Sequence, residues 1–313
     1  MKLGSRLILF SFTAFIVGIF AWSLFAPKED ISTRIYKTLK EQEKVADIAF
    51  KEVTFEEVLA GTRYWQLKAQ SAMVNKSTGI AALKDVKGIF YKNGKAVLHF
   101  LSPAALWDMK KKEIYLDKPI GYDSSLEKKI AVLRDRSQSA ASVFTLPRLY
   151  KGGKGAWFEA RNLSWKLDDK KMLCTGGIIL NKGEATGYAD KLQGDVGMEK
   201  VLLEGNPRIE ISSSQSGPIT VESDVLEIVT PQDLIKFIRN VRVNYKDSQA
   251  QSDNANYTTR TEKIQLEGNA SARQGENILT GQRLTVGVKD GRISVAGRGK
   301  VVISEEKLNG AKN

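Results

Sequence analysis

The sequence predicts an all-β fold: a long antiparallel sheet of repeated units behind one N-terminal transmembrane helix. Three observations lead there. After Phe50, apolar residues alternate with polar ones at a period of two, as in an antiparallel sheet with one face turned inward. A block of about thirty residues returns down the chain, and periods in this range mark stacked repeats. Leu7–Ala26 is an uncharged apolar run long enough to span a bilayer.

That run, LILFSFTAFIVGIFAWSLFA, matches a hydrocarbon core about 30 Å thick at helical rise. Lys2 and Arg6 precede it, which orients the N-terminus toward the cytoplasm. Trp22 and Phe25 sit near its far end, where aromatic rings favour the interface. A cleaved signal peptide would carry an apolar stretch of roughly 7–15 residues and a small-x-small site, and Leu24-Phe25-Ala26 lacks that pattern. Residues 1–26 are therefore expected to be a cytoplasmic tip and an uncleaved anchor, with everything after Pro27 on the far side. Residues 27–49 follow as a helical stalk or linker. Ile31, Ile35 and Leu39, spaced by four, would share one helical face, which a partner could touch.

The strands come next. Trp65, Leu67 and Ala69 alternate with polar neighbours in the first. Val241 and Val243 do so further on, then Ile264 and Leu266, then Leu284, Val286 and Val288. Asn93-Gly94, Asp168-Asp169, Asn181-Lys182-Gly183 and Asp290-Gly291 separate such runs and suit tight hairpins. The repeat centres read LKDVKGIF (Leu83–Phe90), LDKPIGYD (Leu116–Asp123), CTGGIILN (Cys174–Asn181) and LEGNPRIE (Leu203–Glu210). FIRNVRVN (Phe237–Asn244), LEGNASAR (Leu266–Arg273) and VAGRGKVV (Val295–Val302) follow. Their steps of 33, 58, 29, 34, 29 and 29 residues leave room for one degenerate copy. The product is a meander, rolled into a two-sheet jelly roll or continued as a β-solenoid. Leu126–Lys154 interrupts the rhythm, and a boundary between residues 50–150 and 151–313 would fall there.

Catalytic chemistry is not visible. His99 is the only histidine and Cys174 the only cysteine, so a His/Cys metal site and an intrachain disulfide are both excluded. No cofactor motif occurs; in Lys151-Gly152-Gly153-Lys154-Gly155 the lysine precedes glycine instead of Ser or Thr. His99 reads as a strand residue, Cys174 as a small buried thiol, and Asp168-Asp169 as a turn. Lys and Arg outnumber Asp and Glu by 48 to 36, for a formal charge of +12, which suits anionic partners such as lipid headgroups or phosphorylated glycolipid. Nucleic acid is not expected, since no dense basic run or aromatic-basic motif occurs.

Gly61–Ala72 has the form G-x-x-x-W-x-L-x-A-x-x-A. Behind a short anchor, it resembles the start of the folded region in the C subunit (LptC) of the lipopolysaccharide-transport machinery. The LEGN centres at Leu203–Asn206 and Leu266–Asn269, and the run Gln249–Val302, resemble the related bridge protein LptA (OstA-like). The resemblance implies a twisted, partly open jelly roll with an apolar groove. Such a protein sits in the inner membrane with its bulk in the periplasm. It takes lipopolysaccharide from the ATP-driven transporter (LptB, LptF, LptG) and passes it to LptA through terminal strands. The chain is longer than a single-jelly-roll C subunit, so surplus repeats are expected to continue the first jelly roll. The groove wall would come from the inward set: Trp65, Leu67, Ala69, Val241, Val243, Ile264, Leu266, Leu284, Val286 and Val288. In a closed, dry core the same residues would also face inward. The alternatives are an envelope adaptor with such a core, binding proteins or polysaccharide, and an anchored carbohydrate-active enzyme with convergent carboxylates.

Overall fold

The computed structural model describes residues 30–303, apart from positions 60, 129, 131–154, 170, 196 and 213–216. The expected anchor, Leu7–Ala26, lies outside the described residues, as does most of Leu126–Lys154. Among the described residues no helix is long and apolar enough to cross a membrane.

Among the described residues nineteen strands join in one antiparallel sheet. β1 (Ile48–Leu59), β2 (Thr62–Asn75), β3 (Ile80–Lys92) and β4 (Lys95–Asp108) form a meander of hairpins. β5 (Glu113–Asp117) and β6 (Ile120–Tyr122) lie end to end along β4 as two halves of one strand. β7 (Ala156–Glu159) pairs with β6, and β8 (Asn162–Lys166) with β5. β9 (Lys171–Lys182) and β10 (Ala185–Asp195) are long again. Halved strands return as β11 (Lys200–Glu204) with β12 (Arg208–Ile211), then β13 (Ile219–Glu222) with β14 (Val225–Val229). A second meander of β15 (Leu234–Tyr245), β16 (Ser248–Thr258), β17 (Lys263–Gln274), β18 (Asn277–Gly287) and β19 (Ile293–Val302) completes the sheet. Pairing between β5 and β8 and between β6 and β7 carries the sheet across the interruption without a break. One apolar cluster runs from Trp65 to Val288.

The repeated block turns out to be a corner. Each of the seven centres holds at least one residue in the left-handed region. They are Asp85 (φ 49°), Lys118 (43°), Gly176 and Gly177 (84° and 71°), Gly205 and Asn206 (77° and 52°), Arg239 and Asn240 (63° and 51°), Gly268 and Asn269 (77° and 49°), and Gly297 (86°). These residues bend the strand in mid-course, and pairing registers slip beside them, as between Glu267 and Ala270. Glycine and asparagine recur because they tolerate this conformation best. Side chains of the neighbouring strand close the bend: Asn240 Nδ2 donates to Asp224 Oδ2 and Asn269 Nδ2 to Asp253 Oδ2, each at 2.9 Å.

The corners fold the sheet into two leaves that share one apex. The first leaf holds the half-strands that end at the turns near Gly61, Gly94, Gly183, Lys246 and Gly275. The second holds those that end near Thr78, Lys111, Gly197, Pro231, Thr261 and Asp290. Inward residues of both leaves belong to the same cluster, for instance Ile235 and Phe237 before the β15 corner and Val241 and Val243 after it. The result is a jelly-roll-like all-β fold. Two outer edges remain, since β1 pairs with β2 alone and β19 with β18 alone among the described residues. β19 is largely exposed, Val301 at 60 %.

α1 (Ile31–Val45) lies on the outside of this sheet, where the sequence left a stalk or linker open. Asp30 caps its first turn by accepting from the Ser32 amide. Ile31, Ile35 and Leu39 do share a face, and it is covered: they pack on Ala82, Ala104 and Leu106 from β3 and β4. Small outward residues let the helix approach closely, and β4 is consequently buried on both faces. Tyr36 Oη donates to Asp117 Oδ2 at 2.9 Å, Ser32 Oγ donates to Asn162 Oδ1 at 2.8 Å, and Lys84 pairs with Glu43 at 2.7 Å. Ile35 is wholly buried, so Ile35→Ala is expected to cost about 2–5 kcal/mol, read from urea unfolding.

The corner makes a sharper prediction. A Cβ on Gly205 would stand 2.7 Å from the Asp190 Cβ as well as adopting φ +77°. Gly205→Ala is expected to lose about 1–3 kcal/mol. At Gly94, also left-handed but with nothing within 4 Å, alanine should lose less in the same assay.

Candidate functional site

Two leaves joined at an apex diverge toward their tips. Near the corners inward side chains of both leaves share one packed cluster; near the turns from β9 onward a gap opens between them. A cavity of about 790 Å3 lies between the tips, within the range of roughly 300–1,000 Å3 common for ligand sites. Leu180, Ala185, Ile209 and Ile211 line it from the first leaf, and Met198, Val201, Ile228, Leu234, Ile235 and Tyr257 from the second. Leu180, Met198, Ile228, Val229 and Leu234 are only half-buried. Concave apolar surface left open to solvent is a recurrent mark of a binding site.

The charged lining residues, Asp123, Lys182, Glu184, Asp233, Glu262 and Lys289, lie at strand ends and turns. Lys289 pairs with Glu262 at 3.1 Å and Arg260 with Asp233 at 3.1 Å. Within the wall Tyr257 stays neutral, because burial pushes its hydroxyl up to about 12 with help from Glu262. Apolar walls under a charged rim suit an amphiphile with its chains inside and its headgroup at the mouth.

All ten wall residues expected from alternation are inward, and none is more than 4 % exposed. Val288 lines the cavity. Trp65, Leu67, Ala69, Val241, Val243, Ile264, Leu266, Leu284 and Val286 belong instead to the packed interior. Alternation identifies the inward side of a strand and says nothing of its distance from the apex. Ile228, Val229 and Leu234 were missed because they flank the Thr230–Gln232 turn. A signal was present: apolar residues run up to the turn at Ile228-Val229 and resume at Leu234-Ile235, one residue past it.

Among the described residues no group of three or more His, Cys, Asp or Glu could hold a metal ion. Cys174 is fully buried, and burial raises its thiol well above the ordinary value.

Residues 159–292 match the sequence model of a family described as LptA/(LptD N-terminal domain) LPS transport protein. That stretch is LptA-like. It takes in less than half of the chain, but it spans β8 to β18 and so supplies the whole second-leaf wall of the cavity. No curated protein matches the chain. Among solved structures the chain is similar to LptH from Pseudomonas aeruginosa, described as the LptA homologous periplasmic component of the conserved lipopolysaccharide transport device. The two are 12 % identical over 48 % of this chain and 94 % of that one, with a TM-score of 0.23, which is too low to bear on fold or role.

His99 stands on β4, outside the cavity lining. It is 4 % exposed, stacks on Tyr122 at 5.4 Å, and its Nε2 lies 3.2 Å from Ser124 Oγ. Burial lowers its pKa below the ordinary 6.5, opposed more weakly by Glu127 and Asp123. The unfolded chain therefore binds this proton more readily than the folded one. Stability should be complete above pH 6.5 and decline as pH falls below it. Unfolding midpoints from pH 8 to 5 should show that decline in the native chain and a shallower one in His99→Gln.

Proposed function

We propose that this protein is a non-enzymatic carrier in lipopolysaccharide export, anchored in the inner membrane by Leu7–Ala26, with its β-structure in the periplasm. One observation supports this reading above others: the LptA-like stretch builds most of the open apolar trough. Each acyl CH2 removed from water is worth about 0.8 kcal/mol, so several chains need continuous shielding to cross an aqueous space. The trough provides it without chemistry, and the rim leaves phosphorylated sugars in solvent. In its finer form the reading makes this chain LptC-like. It would receive lipopolysaccharide from the LptB, LptF and LptG transporter and pass it toward LptA. The exposed β19 is suited to that handover, because its free edge can extend the sheet into a partner. An adaptor with a closed core is less favoured, since such a core needs no trough.

A photo-crosslinking residue at Ile228 or Leu234, in the full chain in living cells, is expected to capture lipopolysaccharide. The outward positions Lys263 and Gln265 should not. Equal labelling at wall and outward positions would reject the carrier. Depletion of the protein should leave lipopolysaccharide in the inner membrane.

A further inference from the structure

We infer that six aromatic rings form an end wall that stops the trough at the start of β4, short of β1–β3, so that acyl chains enter sideways between the turns. This rests on the carrier reading above. The rings make an unbroken series: Phe55 to Trp107 at 5.0 Å, Trp107 to Trp65 at 5.8 Å and Trp65 to Trp165 at 5.7 Å. Trp165 to Phe90 at 4.3 Å and Phe90 to Phe100 at 5.2 Å complete it.

Phe55, Trp65, Phe90 and Phe100 stand on the first leaf, Trp107 and Trp165 on the second. The first four contacts therefore run from leaf to leaf, all of them edge-on with interplanar angles of 72° to 89°. Edge-to-face rings interlock and leave no slot along which a methylene chain could slide. Trp65, Phe90, Phe100 and Trp165 are at most 4 % exposed. Beyond them the leaves carry aliphatic residues, which do not reach across the widening mouth, and the cavity opens there.

A second observation marks the same frontier. Lys92, at the β3–β4 turn of the first leaf, pairs with Glu199, at the β10–β11 turn of the second, at 2.5 Å. This pair bridges the mouth beside Gly197 and Met198, both of which line the cavity. Polar pairing does not explain why the rings are there. Trp65 Nε1 donates to Glu57 at 2.7 Å, but the Trp107 and Trp165 indole N–H groups find no acceptor among the described residues. Leaving such donors buried is costly. Filling the space between the leaves is what the rings accomplish.

The test places p-benzoylphenylalanine at Trp165, at Phe90 or at Ile228 in the full chain in cells, and reads lipopolysaccharide capture. Capture from position 228 with several-fold less from 165 and 90 is the expected result. Comparable capture from the ring positions would overturn the end wall and leave the carrier reading intact. No capture from 228 would overturn both. Trp107 is only half-buried, so Trp107→Ala should breach the wall at little cost to the fold. It is expected to raise capture from position 165 several-fold while capture from 228, which reports a folded trough, stays unchanged. Unchanged capture at 165 under those conditions also rejects the wall.

Discussion

A sheet of this width with one apolar face has to hide that face from water, and the left-handed corner in each repeat is how it does so. One or two residues at positive φ bend the strand at mid-length. Neighbouring strands bend at the same level because their registers are tied by the ladder, and so the corners align into a single apex. The asparagine-to-aspartate hydrogen bonds at Asp224 and Asp253 hold adjacent corners together. Without the bends, residues such as Phe237, Leu266 and Leu284 would face solvent on a flat sheet. With them, one half of a strand covers the other half of its neighbours.

The trough follows from the same geometry. Leaves that meet at an apex must part at their tips, and the space between them has to be filled or left open. Around β1–β4 it is filled by large rings, and α1 braces the outside of the same region. From β9 onward it is lined by aliphatic side chains that stop short of one another. The LptA-like stretch carries Trp165 of the filled part and most of the open lining. An amphiphile fits the open part because the turns carry the charges and the leaves carry the hydrocarbon. No ionised group need be buried for such a ligand to bind.

Much of the fold was legible in the amino acids. Alternation at Trp65–Ala69, Val241–Val243 and Ile264–Leu266 located strands and their inward sides. The LEGN blocks announced the repeat, although their role as corners was not visible: a Gly-Asn pair reads equally as a hairpin turn. In β16 and β18 the inward parity slips at the corner, from Ala250 to Ala255 and from Leu279 to Leu284, which blurs the alternation there. The face formed by Ile31, Ile35 and Leu39 was evident, but its partner was not. Ala82 and Ala104 look like weak core residues in sequence and serve as an outer seat for the helix.

By itself the sequence determined which side of most strands is apolar, that a unit of about thirty residues repeats, and that the product is antiparallel sheet. These are local properties, set by side-chain period and backbone sterics within a few residues. Tertiary structure decided how far each inward residue lies from the opposite leaf. That distance depends on the angle between the leaves and on twist summed over many strands. It separates Leu266, packed near the apex, from Ile228, half-buried at the mouth, although both are inward aliphatics of similar kind. Burial in a core and contact with a ligand begin from the same pattern, and only the divergence of the leaves tells them apart.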